Sequence, residues 1–267
     1  MISKSERLLI FRFLFSKKSD GYVSIFAWFS IIGISLGVAA IIIVMSVMNG
    51  FRIDLTNRII GLNSHLNIYS FDNEITNKQA DELILNIDNS FFYQHYKSIE
   101  TNGLIIKSNN SKGVMIKGYD EYDKNHYLFN SINMGALIQN PKSEILIGDS
   151  LANEMDLSVG DKVKIAIPKT DKTILGNIPR FKTLEVVGVF DLGLYEYDSN
   201  LIFLSSELVR KLLLYDEDIY NKIEFFTSSP NEIELFKNKV ELEISNLLLN
   251  FYSISWKDQN KTLINAL

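Results

Sequence analysis

The sequence predicts an α+β fold in which one N-terminal transmembrane helix is followed by a mixed α/β domain outside the membrane. Three observations predict it. Gly21–Phe51 is a run of 31 residues without a charge; strand-period and helix-period patterns alternate from about His65 onward; and charge is segregated along the chain. The first 20 residues carry Lys4, Arg7, Arg12, Lys17 and Lys18 against Glu6 and Asp20, whereas 22 basic and 30 acidic residues follow. This is the positive-inside pattern, with a cytoplasmic N-terminus and an extracytoplasmic remainder.

Taken in order, Leu8, Leu9, Phe11, Phe13, Leu14 and Phe15 surround Arg7 and Arg12. This composition predicts either a short helix at the cytoplasmic membrane face or a plain basic flank to the span. The apolar run, read as a helix at about 1.5 Å per residue, covers roughly 40 Å, more than the roughly 30 Å hydrocarbon core of a bilayer. It is too long for the apolar region of a secretory signal, about 7 to 15 residues, so it is expected to remain as an anchor. Gly33-Ile-Ser35-Leu-Gly37 satisfies the pattern of a nucleophilic serine elbow, but that elbow needs a strand, a strained turn and a helix. Nothing in this segment turns. Gly33 and Gly37, with Ser35, Ala39 and Ala40 nearby, instead offer a surface for close helix packing, or reflect the ordinary glycine content of membrane helices. Phe51, Leu55, Ile59 and Leu62 continue at helical spacing, which predicts an amphipathic extension out of the bilayer.

In the remainder, Thr76-x-x-Gln79 reads as a capping box opening a helix with Ala80, Leu83, Ile84 and Ile87 on its apolar face. Strands are expected at about 97–107, 113–119, 144–147, 184–190, 201–204 and 251–256, and Val163, Ile165 and Ile167 alternate as another. Asp149 is expected to cap a short helix carrying Leu151, Ala152 and Met155. Ser229, Pro230 and Glu232 suit a second capping box, ahead of Ile233, Phe236, Val240, Ile244 and Leu247. A further helix is expected from Asp258, with Leu263, Ile264 and Leu267 apolar, and its abrupt end predicts that the parent protein continues. The mixture suits two subdomains, with residues about 108–215 inserted between flanking α/β pieces.

Several chemistries are excluded. With no cysteine there is neither disulfide nor thiolate metal site. His65, His95 and His126 lie far apart in sequence and read as surface residues. Asp120, Glu121 and Asp123 read as a solvated acidic turn rather than a calcium loop. No phosphate-binding loop exists, so ATP-driven work would fall to another subunit, and no cofactor is expected in this chain. The acidic balance, with no basic stripe, argues against a nucleic-acid partner. One loop stands out: Pro168 and Pro179 bracket Lys169–Ile178 between two strong strands, with Ile174, Leu175 and Ile178 apolar. It is either a projecting arm for a partner or a hairpin folded back on its own sheet.

WFSIIGISLGVAA (28–40) and VMSVMNGF (44–51) resemble the first membrane helix of the lipoprotein-releasing ABC permeases, the LolC/LolE family. IPRFK (178–182), GVF (188–190) and GLYEYD (193–198) are similar to the distal part of that family's periplasmic domain. SWKDQNKTLINAL (255–267) resembles the approach to its second membrane helix. The resemblance implies a MacB-like periplasmic domain with porter-like and sabre-like subdomains. It divides the chain into a cytoplasmic segment 1–20, a transmembrane helix 21–50, a periplasmic domain 51–257 and the start of the next membrane segment at 258–267. It implies a non-catalytic permease subunit of the inner membrane, paired with a LolE-like or identical second permease and driven by a LolD-like ATPase. Such a complex extracts lipoproteins and passes them to a LolA-like chaperone. It assigns the hook for that chaperone to Pro168, Lys169, Ile174, Leu175, Ile178, Pro179 and Arg180, and contact with lipoprotein acyl chains to Val44, Val47, Met48 and Phe51. A mechanotransmitting permease of the MacB or FtsX type, and a single-pass anchored periplasmic binding domain, are the alternatives.

Overall fold

Helix α1 (Gly21–Leu62) is continuous through 42 residues. The computed structural model describes residues 5, 6, 8, 21–62, 64–122, 126–173 and 176–262, excluding the side chains of 21–24, 55, 57–59, 61, 62 and 168–179. The expected cytoplasmic segment, apart from Ser5, Glu6 and Leu8, and the side chains of Leu55, Ile59 and Leu62 lie outside the described residues, as do Leu263, Ile264 and Leu267. The chain forms two compact units, residues 1–56 and 57–266. In the first, Ile25–Asp54 is long and apolar enough to cross a membrane, and none of its most apolar window is buried inside the protein. A helix apolar all round suits lipid. Ser35 lies in mid-helix with no turn on either side, which removes the elbow reading.

The second unit is built on a ten-stranded sheet, β12-β1-β11-β3-β4-β9-β6-β8-β5, with β7 bonded to both β3 and β8. The strands are β1 (Leu66–Ser70), β2 (Ile75–Thr76), β3 (Gln94–Lys107), β4 (Asn110–Tyr119), β5 (Ile132–Gly135) and β6 (Glu144–Gly148), then β7 (Lys162–Thr173), β8 (Gly176–Phe190), β9 (Leu201–Ser205), β10 (Ile219–Tyr220), β11 (Lys222–Phe226) and β12 (Phe251–Ser255). β2 and β10 form a separate small sheet. Between the strands lie α2 (Asn77–Asn86), α3 (Asp149–Glu154), α4 (Tyr195–Asn200), α5 (Ser206–Leu213), α6 (Ile233–Asn246) and α7 (Trp256–Gln259). Most neighbours are antiparallel, but β4 with β9 and β6 with β8 run parallel.

Side chains alternate across the sheet. On one face Leu66, Ile68, Ile223 and Phe225 pack with Leu83 of α2 and Phe236, Val240 and Ile244 of α6. Along the same face Ile99, Ile116, Ile147 and Ile202 pack with Leu151 of α3 and Val209 and Leu212 of α5. The other face is covered by the segment around a short 3₁₀ turn, Tyr127–Ser131, and carries Tyr119, Leu128, Phe190 and Phe203.

Thr76 and Gln79 form the expected capping box, with Gln79 N–H donating to Thr76 Oγ1 at 3.3 Å and Thr76 N–H to Gln79 Oε1 at 3.0 Å. Three local expectations are corrected. Gly148, not Asp149, is the cap of α3, since its backbone is still extended (φ −73°, ψ 152°) and Asp149 is already helical; a Cβ at Gly148 would meet the Asp198 carbonyl oxygen at 2.1 Å, and Asp149 accepts from Asn153. Ser229 makes no side-chain cap, since Glu232 N–H bonds the Ser229 carbonyl in a 3₁₀ turn before α6 begins. The last described helix starts at Trp256, with Ser255 and Asp258 as its capping box, so the preceding strand ends at Ser255.

Candidate functional site

The proline-bracketed loop is the distal half of the β7–β8 hairpin. β3 pairs with β7 only as far as Ala166, and β6 and β5 pair with β8 only from Glu185 onward. Among the described residues, the strands from Ile167 to Thr173 and from Gly176 to Arg180 therefore pair as strands only with each other. At about 3.3 Å per residue this two-stranded ribbon extends roughly 20 Å. Its register jumps from Ile167↔Arg180 to Thr170↔Pro179, leaving Pro168 and Lys169 as a bulge. Proline has no N–H for a ladder, and a bulge is where a strand tolerates it.

Lys169, Ile178 and Pro179 are thus on ribbon strands, and Ile174 and Leu175 lie outside the described residues. At the ribbon's base Arg180 Nη1 donates to the Lys211 carbonyl at 3.3 Å, in the last turn of α5, where a cation is favourable. Phe181 is 53% exposed. The base is placed by Gly103: a Cβ there would meet Ile116 Cδ1 at 2.6 Å and the Ala166 carbonyl oxygen at 2.8 Å, so β7 can lie against β3 only because the side chain is absent. The ribbon also carries a charge signal in the sequence. Residues 162–182 hold six Lys or Arg against one Asp, in a chain of net charge −5.

On α1, Val44, Val47, Met48 and Phe51 are all exposed. At about 100° per residue they share one face of the helix with Gly33 and Gly37. A Cβ at either glycine would meet nothing within 4 Å among the described residues, so the notch suits close approach of another helix.

The histidines correct the surface expectation. His95 is exposed, but His65 and His126 are buried. His126 Nδ1 accepts from Leu128 N–H, and its ring packs among Tyr96, Tyr119, Tyr122 and Tyr127. His65 is held by main-chain partners. No metal-binding group of His, Cys, Asp and Glu occurs among the described residues. Asp120 does not merely face solvent: it accepts from Tyr220 Oη at 2.5 Å, from Arg210 Nη2 at 3.2 Å and from Ser206. Asp123 lies outside the described residues.

Lys117, Lys222 and Glu224 stand on strands β4 and β11, and by residue type alone they would suit a solvated face. The fold buries them beneath the tyrosines. Glu224 Oε1 accepts from Lys117 Nζ at 2.8 Å and lies 3.0 Å from Lys222 Nζ, and Oε2 accepts from Tyr119 Oη at 2.5 Å. Glu100 takes Lys222 at 2.8 Å. Burial alone would raise the Glu224 pKa, but the two ammoniums overrule it and hold the carboxyl far below its usual range. Burial would lower that of Lys222, and Glu224 and Glu100 raise it instead. A cavity of about 260 Å³ opens over this layer, lined by Lys117, Lys222, Glu100, Tyr69 and Tyr197 among others. With cations and carboxylates balanced, the layer is structural.

A helix long and apolar enough to cross a membrane, ahead of a mixed α/β domain with a two-stranded ribbon, defines the class. The family model for the MacB-like periplasmic core domain matches residues 27–241, and the chain belongs to that family. It is 29% identical over 213 residues to the lipoprotein-releasing system transmembrane protein LolC of Neisseria meningitidis serogroup B, covering 78% of this chain and 51% of that protein. It is 26% identical over 226 residues to the corresponding LolE of Haemophilus influenzae, covering 82% of this chain and 54% of that one. The chain thus spans about half the length of these relatives. Among solved structures, the periplasmic region of MacB from Actinobacillus actinomycetemcomitans is similar, at 15% identity and a TM-score of 0.49, over 78% of this chain and 96% of that one.

Proposed function

We propose that this chain is part of a permease subunit that extracts lipoproteins from the inner membrane and hands them to a periplasmic chaperone, driven by ATP hydrolysis on a separate subunit. The single observation that most supports it is the ribbon beyond Ala166, two strands that pair only with each other among the described residues. A two-stranded ribbon is marginal in water by itself, and a partner that covers it accounts for its retention. In this reading the ribbon is the chaperone hook. Val44, Val47, Met48 and Phe51 form a wall for acyl chains, and Gly33 and Gly37 seat a neighbouring helix, from this subunit or a second permease. Withdrawing acyl chains from a bilayer costs about 0.8 kcal/mol per exposed CH₂, which calls for both an apolar wall and an external energy source. Residues 1–20 then face the cytoplasm, 21–50 span the membrane, and 51–257 lie in the periplasm with 108–215 as the inserted part.

Deleting residues 169–178 tests the reading. Capture of the LolA-like chaperone by the tagged protein should be lost, while a permease that only transmits force to another periplasmic partner would not capture that chaperone even with the loop intact. Unaltered capture overturns the hook assignment.

A further inference from the structure

His65 directly follows the exit from α1, and every polar atom it owns is bonded to main chain. Its N–H donates to the Phe225 carbonyl at 2.8 Å, and its carbonyl accepts from Trp256 N–H at 2.9 Å. Its ring Nδ1 accepts from Thr227 N–H at 2.8 Å, and Nε2 lies 3.0 Å from the Ile60 carbonyl. These partners fix the tautomer. An amide N–H can only donate and a carbonyl can only accept, so the ring is neutral, with Nδ1 bare and the proton on Nε2. The ring is 5% exposed and packs edge-on against Phe226. One residue thereby ties the last turn of α1, the end of β11 and the first residue of α7.

The Ile60 carbonyl belongs to the last turn of a helix, where carbonyls lack an intrahelical partner. The Ile60 side chain meets the apolar core only in part, and apolar contact has no direction. The ring sets the direction. Because α1 is one unbroken helix, whatever turns or lifts it acts on Ile60.

We infer that His65 is a positioning residue, a clamp that holds the last turn of α1 to the end of β11 through its ring, so that movement of the helix reaches the sheet. The inference about movement rests on the permease reading, but the clamp can be measured without it. Two substitutions split its bonds. In His65→Asn the side-chain oxygen takes the place of Nδ1 and keeps Thr227, while Ile60 loses its donor. In His65→Gln the amide nitrogen takes the place of Nε2 and keeps Ile60, while Thr227 loses its acceptor. The backbone bonds to Phe225 and Trp256 persist in both.

The chain has no cysteine, so spin labels on Arg58→Cys and Asn86→Cys report one distance by double electron–electron resonance in lipid nanodiscs. The expected result is a narrow distribution for the parent and for His65→Gln, and one at least twice as broad for His65→Asn. A parent as broad as His65→Asn, or a His65→Asn distribution as narrow as the parent, overturns the clamp. In the complete transporter, His65→Asn should hydrolyse ATP at the parental rate and release at least tenfold less lipoprotein per ATP, with His65→Gln restoring most of it. Release by His65→Asn at the parental ratio overturns the link to movement. If the parent releases none, the permease reading fails, and the distance distributions still decide the clamp.

Discussion

Replacing Glu224 by Gln removes one charge from a buried ion-pair layer. The carboxylate, 0% exposed, faces Lys117 and Lys222 and also lies 3.2 Å from Ser64 Oγ. In the variant, Lys222 keeps Glu100 at 2.8 Å, but Lys117 becomes a buried ammonium without a carboxylate partner among the described residues. Breaking a buried pair from one side costs about 3–5 kcal/mol, against about 0.2–1 kcal/mol for an exposed pair. At about 2–4 °C per kcal/mol for a domain of this size, the melting temperature should fall by about 10 °C. The assay is thermal and urea unfolding of the chain in detergent, followed by the emission of Trp256, which is buried, in a Trp28→Phe background. Adding Lys117→Met removes the stranded cation, so the double variant should be more stable than Glu224→Gln alone. The pH dependence has a definite sign. Because the folded pKa is depressed, the stabilisation is full above the unfolded carboxyl value of about 4.3 and is lost as pH falls through the folded value, so the domain should remain folded at pH 5. A loss below about 1 kcal/mol, or a double variant no better than the single, would refute the buried-layer account.

Two more predictions concern the ribbon. Gly103→Ala forces a methyl group against the Ala166 carbonyl and should destabilise the domain by about 1–3 kcal/mol; hydrogen exchange should show the excess opening concentrated where β3 meets β7, and uniform opening would contradict it. In the proposed hook, reversing Lys169 and Lys172 to Glu should slow chaperone association on the order of tenfold at low salt and flatten its salt dependence, since charge acts mainly on encounter; an unchanged rate measured by surface plasmon resonance would count against a charge-steered encounter.

Much of this was legible because it is local. A run of 31 uncharged residues can only be a long apolar helix, and the Thr76–Gln79 pair announces a helix start three residues apart. Pro168 and Pro179 marked the ribbon because proline interrupts a ladder wherever it stands. Ser229 misled for the converse reason: its residue types suit a capping box, yet the backbone at φ −120° and ψ 64° carries the hydroxyl away from the cap.

The sequence alone determined the membrane-length helix, the segregation of charge and the alternation that gives each strand two faces. Only the tertiary structure decided which polar face would be buried. Lys117 and Glu224 are 107 residues apart, and their meeting depends on β3 lying between β4 and β11 in a register that no local pattern states. His65 likewise reads as an ordinary surface histidine until the ends of β11 and β12 are brought to its two sides, because its partners are backbone atoms and leave no mark in side-chain pattern.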